Sequence, residues 1–440
     1  MRILLIYPRW QWSEIGQLQE PLGILYIASV LRGGGFEVRF LDFTFEKSLG
    51  KLEKEVKWAD AIGMSFSTVL FNRSKHILKK IKAIKPEMPV IAGGPHPTAD
   101  PEGTLKAGFD YLVIGEGEQS ALELFQSLAQ GRDGKDIASV WARNGEEIFK
   151  TTYRSFISDL NNIPFPARDL IDYHTYLKSG MLQVGIVLSR GCPFKCRFCK
   201  PMQDLIFGRK LRRRSTQNVA EEIEWTIKLT GHNFFLFRDD NLASLGLNWF
   251  EELHKEMEMR RIKITFSGQT RVNNISEEFV RELKAMGLVG LAFGVESGSQ
   301  KIIDYYNKCF KVDDSIRAFD ICHKFGIGTH CFIILGAPVE TKDDLQMTIE
   351  LVKRLKPESI TISRLTPAPG TYLHSEAIEK GILKEVEWEG WDFYKNQTPL
   401  NLPYLTEKDL MDAEKELRNL IPGSVLYPRQ KIVPCLQNFD

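Results

Sequence analysis

The sequence predicts an α/β chain: a doubly wound parallel sheet first, then six βα units forming an open, partial barrel, then a small terminal segment. Three observations predict it. Short, continuously apolar runs alternate with helical periodicity, from residue 1 to about 130 and again from Gly185 to about Thr371. Apolar strands separated by helices are the pattern of a parallel sheet buried on both faces. Glycine-bearing turns follow several of the runs, where such sheets form their ligand crevice. A loop of three cysteines directly follows the first run of the second series.

In order, Ile3–Tyr7 is a short apolar strand, and a helix follows over Leu22–Arg32, closed by Gly33-Gly34-Gly35. Strands are expected at Glu37–Leu41, Ala61–Phe66, Pro89–Ala92 and Tyr111–Ile114, and helices at Phe71–Ile84, Thr104–Ala107 and Gln119–Gln130. The carboxyl ends of these strands carry Tyr7-Pro8-Arg9, Ser65-Phe66-Ser67-Thr68, Gly93-Gly94-Pro95-His96 and Gly115-Glu116-Gly117-Glu118. Residues 131–185 read as a connector. It holds a hairpin turned at Asn144-Gly145 and a proline-punctuated linker over 161–166.

The second series has strands at Val184–Leu188, Asn233–Arg238, Lys263–Gly268, Gly290–Val295, Gly328–Leu335 and Glu358–Leu365, with helices between them. Chemistry gathers at the carboxyl ends in barrels of parallel strands. The expected domains are therefore 1–130, 131–185, 186–375 and 376–440. In the last, Glu387–Tyr394 is aromatic and acidic, and Glu407–Leu420 reads as a helix ended by Pro422-Gly423.

A length of 440 residues suits two or three domains, and 43% apolar with 26% charged residues is ordinary globular composition. A net charge of +1 makes no case for an overall nucleic-acid binder. The first apolar run is too short for a signal peptide, and no apolar stretch approaches the roughly 18 residues of a membrane span. Seven unevenly placed cysteines do not resemble a disulfide framework, so the reducing cytoplasm is the expected location.

Cys192, Cys196 and Cys199 form a C-x3-C-x2-C loop, and the next cysteine is Cys309. Three thiolates on one loop can hold three corners of a cubane iron–sulfur cluster and leave the fourth iron open to a small molecule. The alternative is zinc, which wants four ligands; His174 and His232 lie outside the loop. Cys309, Cys322, Cys331 and Cys435 read as packing residues.

The cysteine loop resembles that of radical S-adenosylmethionine (SAM) enzymes. The remainder, over roughly residues 1–375, resembles their cobalamin-dependent subgroup, which includes the anaerobic magnesium-protoporphyrin ester cyclase and hopanoid methyltransferases. The resemblance rests on the order and spacing of Gly93–His96, Gly115–Glu118, Phe237–Asn241, Gly294–Ser299, Gly336–Pro338 with Glu340-Thr341, and Pro367–Thr371 behind the cysteine loop.

The resemblance implies that SAM chelates the open iron and that an electron from the cluster cleaves it to a 5′-deoxyadenosyl radical. In methyltransferase relatives, methylcobalamin then supplies the methyl group. It implies three cofactors: a [4Fe-4S] cluster, SAM and cobalamin. It also implies a small-molecule substrate and an electron donor such as ferredoxin or flavodoxin. Methyl transfer to an unactivated carbon is the first reading. A cobalamin-using cyclase or rearrangement enzyme is the second, and a non-catalytic cobalamin sensor the third.

Carried onto this chain, the resemblance assigns SAM contacts to Phe198, Asp239, Asp240, Arg271, Glu296, Ser297, Ile334, Gly336 and Pro338. Each has a plainer alternative. Phe198 stacks on adenine or simply packs. One of Asp239 and Asp240 takes the SAM ammonium, or they cap a helix or lie in a surface loop. Arg271 forks onto the SAM carboxylate or forms a surface salt bridge, Glu296 belongs to SAM or to a structural network, and 334–338 walls the adenine or packs as strand.

Cobalamin contacts fall to Pro8, Ser65, Ser67, Thr68, Gly93, Gly94, His96, Gly115, Glu116, Gly117 and Glu118. The D-x-H-x-x-G motif that supplies an axial histidine is absent, so base-off binding without a motif histidine is expected. His96 lines the ring or closes its turn. Glu116 and Glu118 bond cobalamin or remain solvated. The basic run Arg209–Arg214, ahead of a Ser215 helix cap, reads as solvated loop charge or as a contact for an anionic substrate or electron donor, not for nucleic acid.

Overall fold

The computed structural model describes residues 1–9, 18–45, 50–383 and 400–421. The expected acidic-aromatic stretch at 387–394, the Pro422-Gly423 stop and Cys435 lie outside them.

The first sheet has seven strands: β1 (Arg2–Tyr7), β2 (Glu37–Asp42), β3 (Ala61–Ser65), β4 (Val90–Gly93), β5 (Tyr111–Val113), β6 (Val140–Asn144) and β7 (Glu147–Phe149). Their order is β2-β1-β3-β4-β5-β6-β7, and β1 to β5 are all parallel. Chain order reverses between β1 and β3, the switch point where a doubly wound sheet opens a crevice. Helices Leu22–Gly33 and Glu118–Ala129 join one apolar layer with Ile3, Leu5, Ile91 and Val113, while Phe71–Ile84 buries Ile77, Leu78 and Ile81 in the other.

The hairpin expected inside the connector instead extends this sheet. β6 lies antiparallel on β5, pairing Ala142 with Tyr111, and Gly145 turns at φ 62°. The reason is burial: Val140, Trp141 and Ala142 cover an edge that β5 would otherwise leave open.

The second sheet has six parallel strands in unbroken chain order: β8 (Val184–Ile186), then β11 (Phe234–Phe237), β12 (Thr265–Thr270), β13 (Leu288–Glu296), β14 (Gly328–Leu335) and β15 (Ser359–Arg364). A small antiparallel ribbon, β9 (Ser189–Arg190) with β10 (Arg212–Arg213), brackets the cysteine loop. Ser215 caps helix Thr216–Thr230 by accepting from the Asn218 N–H, and Gly231 closes it at φ 66°. The largest apolar core lies under this sheet, with Phe235, Phe237, Phe266, Phe293 and Phe319 at its centre. Helix Glu407–Asn419 docks on it through Leu410, Ala413 and Leu417. No helix among the described residues is long and apolar enough to cross a membrane.

Candidate active site

The carboxyl ends of the two sheets face one cavity of about 990 Å³. That volume is at the top of the roughly 300–1,000 Å³ span of small-molecule pockets. One wall carries Tyr7, Arg9, Ser65, Ser67, Gly93, Gly94 and Gly115 to Glu118; the opposite wall carries Ser189 to Pro193, Arg238, Asp240 and Asn241. Part of the lining is the apolar layer of the first sheet: Leu5, Gly63, Ile91, Val113, Ala121 and Phe125. A Cβ on Gly63 would lie 2.7 Å from Leu5 Cδ2, so glycine is what leaves this strip open.

The cysteine loop reaches the cavity at Cys192. Gly191 precedes it at φ 93°, with its Cα against the Lys210 carbonyl; a side chain there would strike the backbone. The Cys199 and Lys200 amides both donate to the Cys196 carbonyl, at 3.1 and 2.9 Å, which folds the loop back on itself. Lys200 is buried and its ammonium donates to the Cys192 carbonyl at 3.1 Å. All three thiols are free. Burial raises Cys192 and pushes Cys199 up to about 12, with Asp240 and the neighbouring cysteines adding to it. Desolvated, mutually repelling thiolates need a compensating cation, so the donor set fits a cationic iron–sulfur cluster. Among the described residues, no three His, Cys, Asp or Glu side chains are gathered closely enough to hold a metal ion.

The two adjacent aspartates point in opposite directions. Asp239 is buried, accepts from the Leu188 N–H at 3.0 Å and from the Ser189 hydroxyl, and so ties β11 to the segment leading into the cysteine loop. Burial pushes its carboxyl up to about 7. Asp240 opens onto the cavity beside Cys192 and accepts from Gln203 Nε2.

Several expected contacts are engaged elsewhere. His96 is fully buried, its ring 4.1 Å from that of Phe71 and Nδ1 3.2 Å from the Thr68 hydroxyl. It and Thr68 close the turn and do not line the cavity; Pro8 does not either, although Tyr7 and Arg9 beside it do. Glu116 is neither solvated nor open. It accepts from Arg212 at 2.8 and 2.9 Å, from Arg190 at 3.2 Å and from the Ile157 N–H at 2.9 Å. Glu118 accepts from Arg190 at 2.6 Å. These buried pairs clamp the first sheet to the ribbon around the cysteine loop. The basic run is correspondingly not all solvated: Arg212 and Arg214 are buried, the latter on Glu222, while Arg209, Lys210 and Arg213 are exposed.

Around the remaining strand ends, Glu296 sits at φ 66° on a register shift in β13, paired at 2.7 Å with the buried Lys308 ammonium. Ser297 faces Thr348 at 3.0 Å. The Gly336 and Ala337 amides donate to Glu340, which shapes the turn that holds Pro338. Phe198 and Ile334 pack in one apolar cluster with Tyr306, Ala337 and Leu365. The guanidinium of Arg271 does not stand open as a fork; its donors already have protein acceptors. Sequence reasoning gives Arg190 and Lys308 no role, Arg212 only a place in the basic run Arg209–Arg214, and Arg238 only a place in the Phe237–Asn241 motif. Arg190 alone left a local sign, a cation two residues before the first cysteine.

Two family models match parts of the chain. Residues 12–125 match the B12 binding domain and residues 186–352 match the radical SAM superfamily.

The chain joins a B12-binding domain to a radical SAM domain.

An uncharacterized methyltransferase of Pyrococcus horikoshii is 29% identical over 397 residues, covering 88% of this chain and 85% of that protein. An anaerobic magnesium-protoporphyrin IX monomethyl ester cyclase of Rubrivivax gelatinosus is 28% identical, covering 94% and 76%. The fold matches the radical SAM methyltransferase TsrM of Kitasatospora setae, solved with cobalamin and a [4Fe-4S] cluster, at a TM-score of 0.73 and 18% identity over 88% of this chain and 79% of that one.

Proposed function

We propose that this radical SAM enzyme is a methyltransferase that acts at an unactivated carbon of a small molecule. The observation that carries the reading is the single cavity of about 990 Å³ with the B12-domain strand ends on one wall and Cys192 and Asp240 on the other. When bound, the cluster and SAM supply a carbon-centred radical, and cobalamin supplies a transferable methyl group.

The protein's part is placement and exclusion of water. Cys192, Cys196 and Cys199 hold the cluster. Asp240 is the carboxylate open to the SAM ammonium, while Asp239 fixes the strand end beside it. Glu296 with Lys308, Ser297, Phe198, Ile334, Gly336 and Pro338 shape the nucleoside side. Ser65, Ser67, Gly93, Gly94, Gly115 and Gly117 take the corrin, their small side chains letting it approach the backbone. Cobalamin would be held base-off, since no histidine lines the cavity among the described residues. A low-potential protein of ferredoxin or flavodoxin type delivers the electron.

Cyclisation is the second reading, because a ring-forming cyclase is 28% identical over 94% of the chain. Products separate the two. Anaerobic incubation with SAM, reductant and cobalamin is expected to give S-adenosylhomocysteine together with 5′-deoxyadenosine, since recharging the methyl carrier consumes a second SAM. 5′-Deoxyadenosine without S-adenosylhomocysteine contradicts methyl transfer.

A further inference from the structure

Arg271 follows β12 and was expected to hold the SAM carboxylate; its surroundings give it another task. It is 6% exposed, and its guanidinium lies 3.8 Å over the Phe194 ring, inside the cysteine loop. Nε points to Asn273 Oδ1 at 3.4 Å and Nη2 donates to the Lys308 carbonyl. Its own backbone N–H donates to Asn241 Oδ1 at 3.1 Å, and the Thr270 hydroxyl donates to the same oxygen at 2.8 Å. Held on both sides, the group presents Nη1 to Cys196 Sγ at 3.3 Å. None of these acceptors is a carboxylate.

We propose that Arg271 is a positioning residue that sets the reduction potential of the cluster held by Cys192, Cys196 and Cys199. This rests on the cluster assignment. One electron passes from an external reductant to the cluster with no bond made or broken, so the cluster and its thiolates gain one negative charge. A fixed cation with an N–H aimed at a ligand sulfur stabilises that reduced state more than the oxidised one. The chain thereby makes its cluster easier to reduce than three desolvated thiolates alone would allow.

The test is potentiometric titration of the anaerobically reconstituted full chain with dithionite, followed by the electron paramagnetic resonance of the reduced cluster, without SAM. Arg271→Met is expected to lower the midpoint, the reduction equilibrium falling by about tenfold or more, which is about 59 mV for one electron. Arg271→Lys retains charge without the three-way hold and is expected to fall between. Iron and sulfide contents equal to wild type show that the cluster assignment stands in each variant. An unchanged midpoint in a loaded Arg271→Met protein overturns the proposal. So does weakened SAM binding at an unchanged midpoint, which returns Arg271 to the SAM carboxylate. If Arg271→Met takes up no cluster, Arg271→Lys decides by the same midpoint. Loss of the cluster from both folded variants also overturns it, because the residue then retains the cluster and does not tune it.

Discussion

Cys196→Ala protein, reconstituted with iron and sulfide under strict anaerobiosis, is expected to form no detectable 5′-deoxyadenosine from SAM and to lose the cluster's visible absorbance. Cys192→Ala and Cys199→Ala are expected to do the same. The effect is large because the loop has no spare ligand: the next cysteine, Cys309, is exposed and does not belong to the loop. Cys196 is buried and Cys192 and Cys199 partly so, and any two of them leave the cluster one thiolate short. Cys309→Ala is the matched control and is expected to retain wild-type cleavage. Undiminished cleavage in any of the three loop variants would sink the cluster assignment.

The second large effect concerns stability. Arg168 is fully buried between Glu20 and Glu222, both also fully buried, at 3.1 and 2.8 Å. It also donates to the Tyr173 hydroxyl at 2.8 Å and to the Gly185 carbonyl at 2.7 Å. Glu20 precedes the first helix of the B12-binding part, Arg168 lies within the connector, Gly185 is on β8, and Glu222 is on the helix Thr216–Thr230 of the radical SAM part. One guanidinium therefore joins three segments of the chain. Arg168→Met strands buried carboxylates, and breaking a buried pair in this way costs about 3–5 kcal/mol. The unfolding midpoint in denaturant is expected to fall accordingly, and Glu20→Gln added to Arg168→Met is expected to recover part of the loss. A loss below about 1 kcal/mol would show that water or rearrangement compensates the carboxylates.

The strands and their order were legible because apolar runs and helical periodicity are local. All six strands of the second sheet are found where the sequence predicts them, with ends shifted by a residue or two. The turns at Ser65–Ser67, Gly93-Gly94 and Gly115–Glu118 were legible as a cavity wall for the same reason: each follows its own strand. What failed to show in sequence depends on pairings that only the fold brings together. Glu116 meets Arg212, Arg214 meets Glu222, and Lys308 meets Glu296 and carries the carbonyl that holds Arg271. Nothing near Arg212 in sequence announces a buried carboxylate, so a basic run read as solvated is partly interior. Asp239 and Asp240 show the other limit. Neighbours in sequence just beyond β11, they divide between a tie to Leu188 and Ser189 and the cavity lining, a division set by contacts that the sequence does not show.

One cavity is expected to serve the cluster, SAM and cobalamin together, with the cluster and the corrin facing each other across it. The most direct measurement is a structure of the anaerobically reconstituted protein with cobalamin and SAM bound. The corrin is expected against Gly93, Gly94 and Gly115, facing a cluster on Cys192, Cys196 and Cys199, with SAM between them beside Asp240. Cobalamin bound away from this cavity, or a cluster closed by a fourth protein ligand, would contradict it.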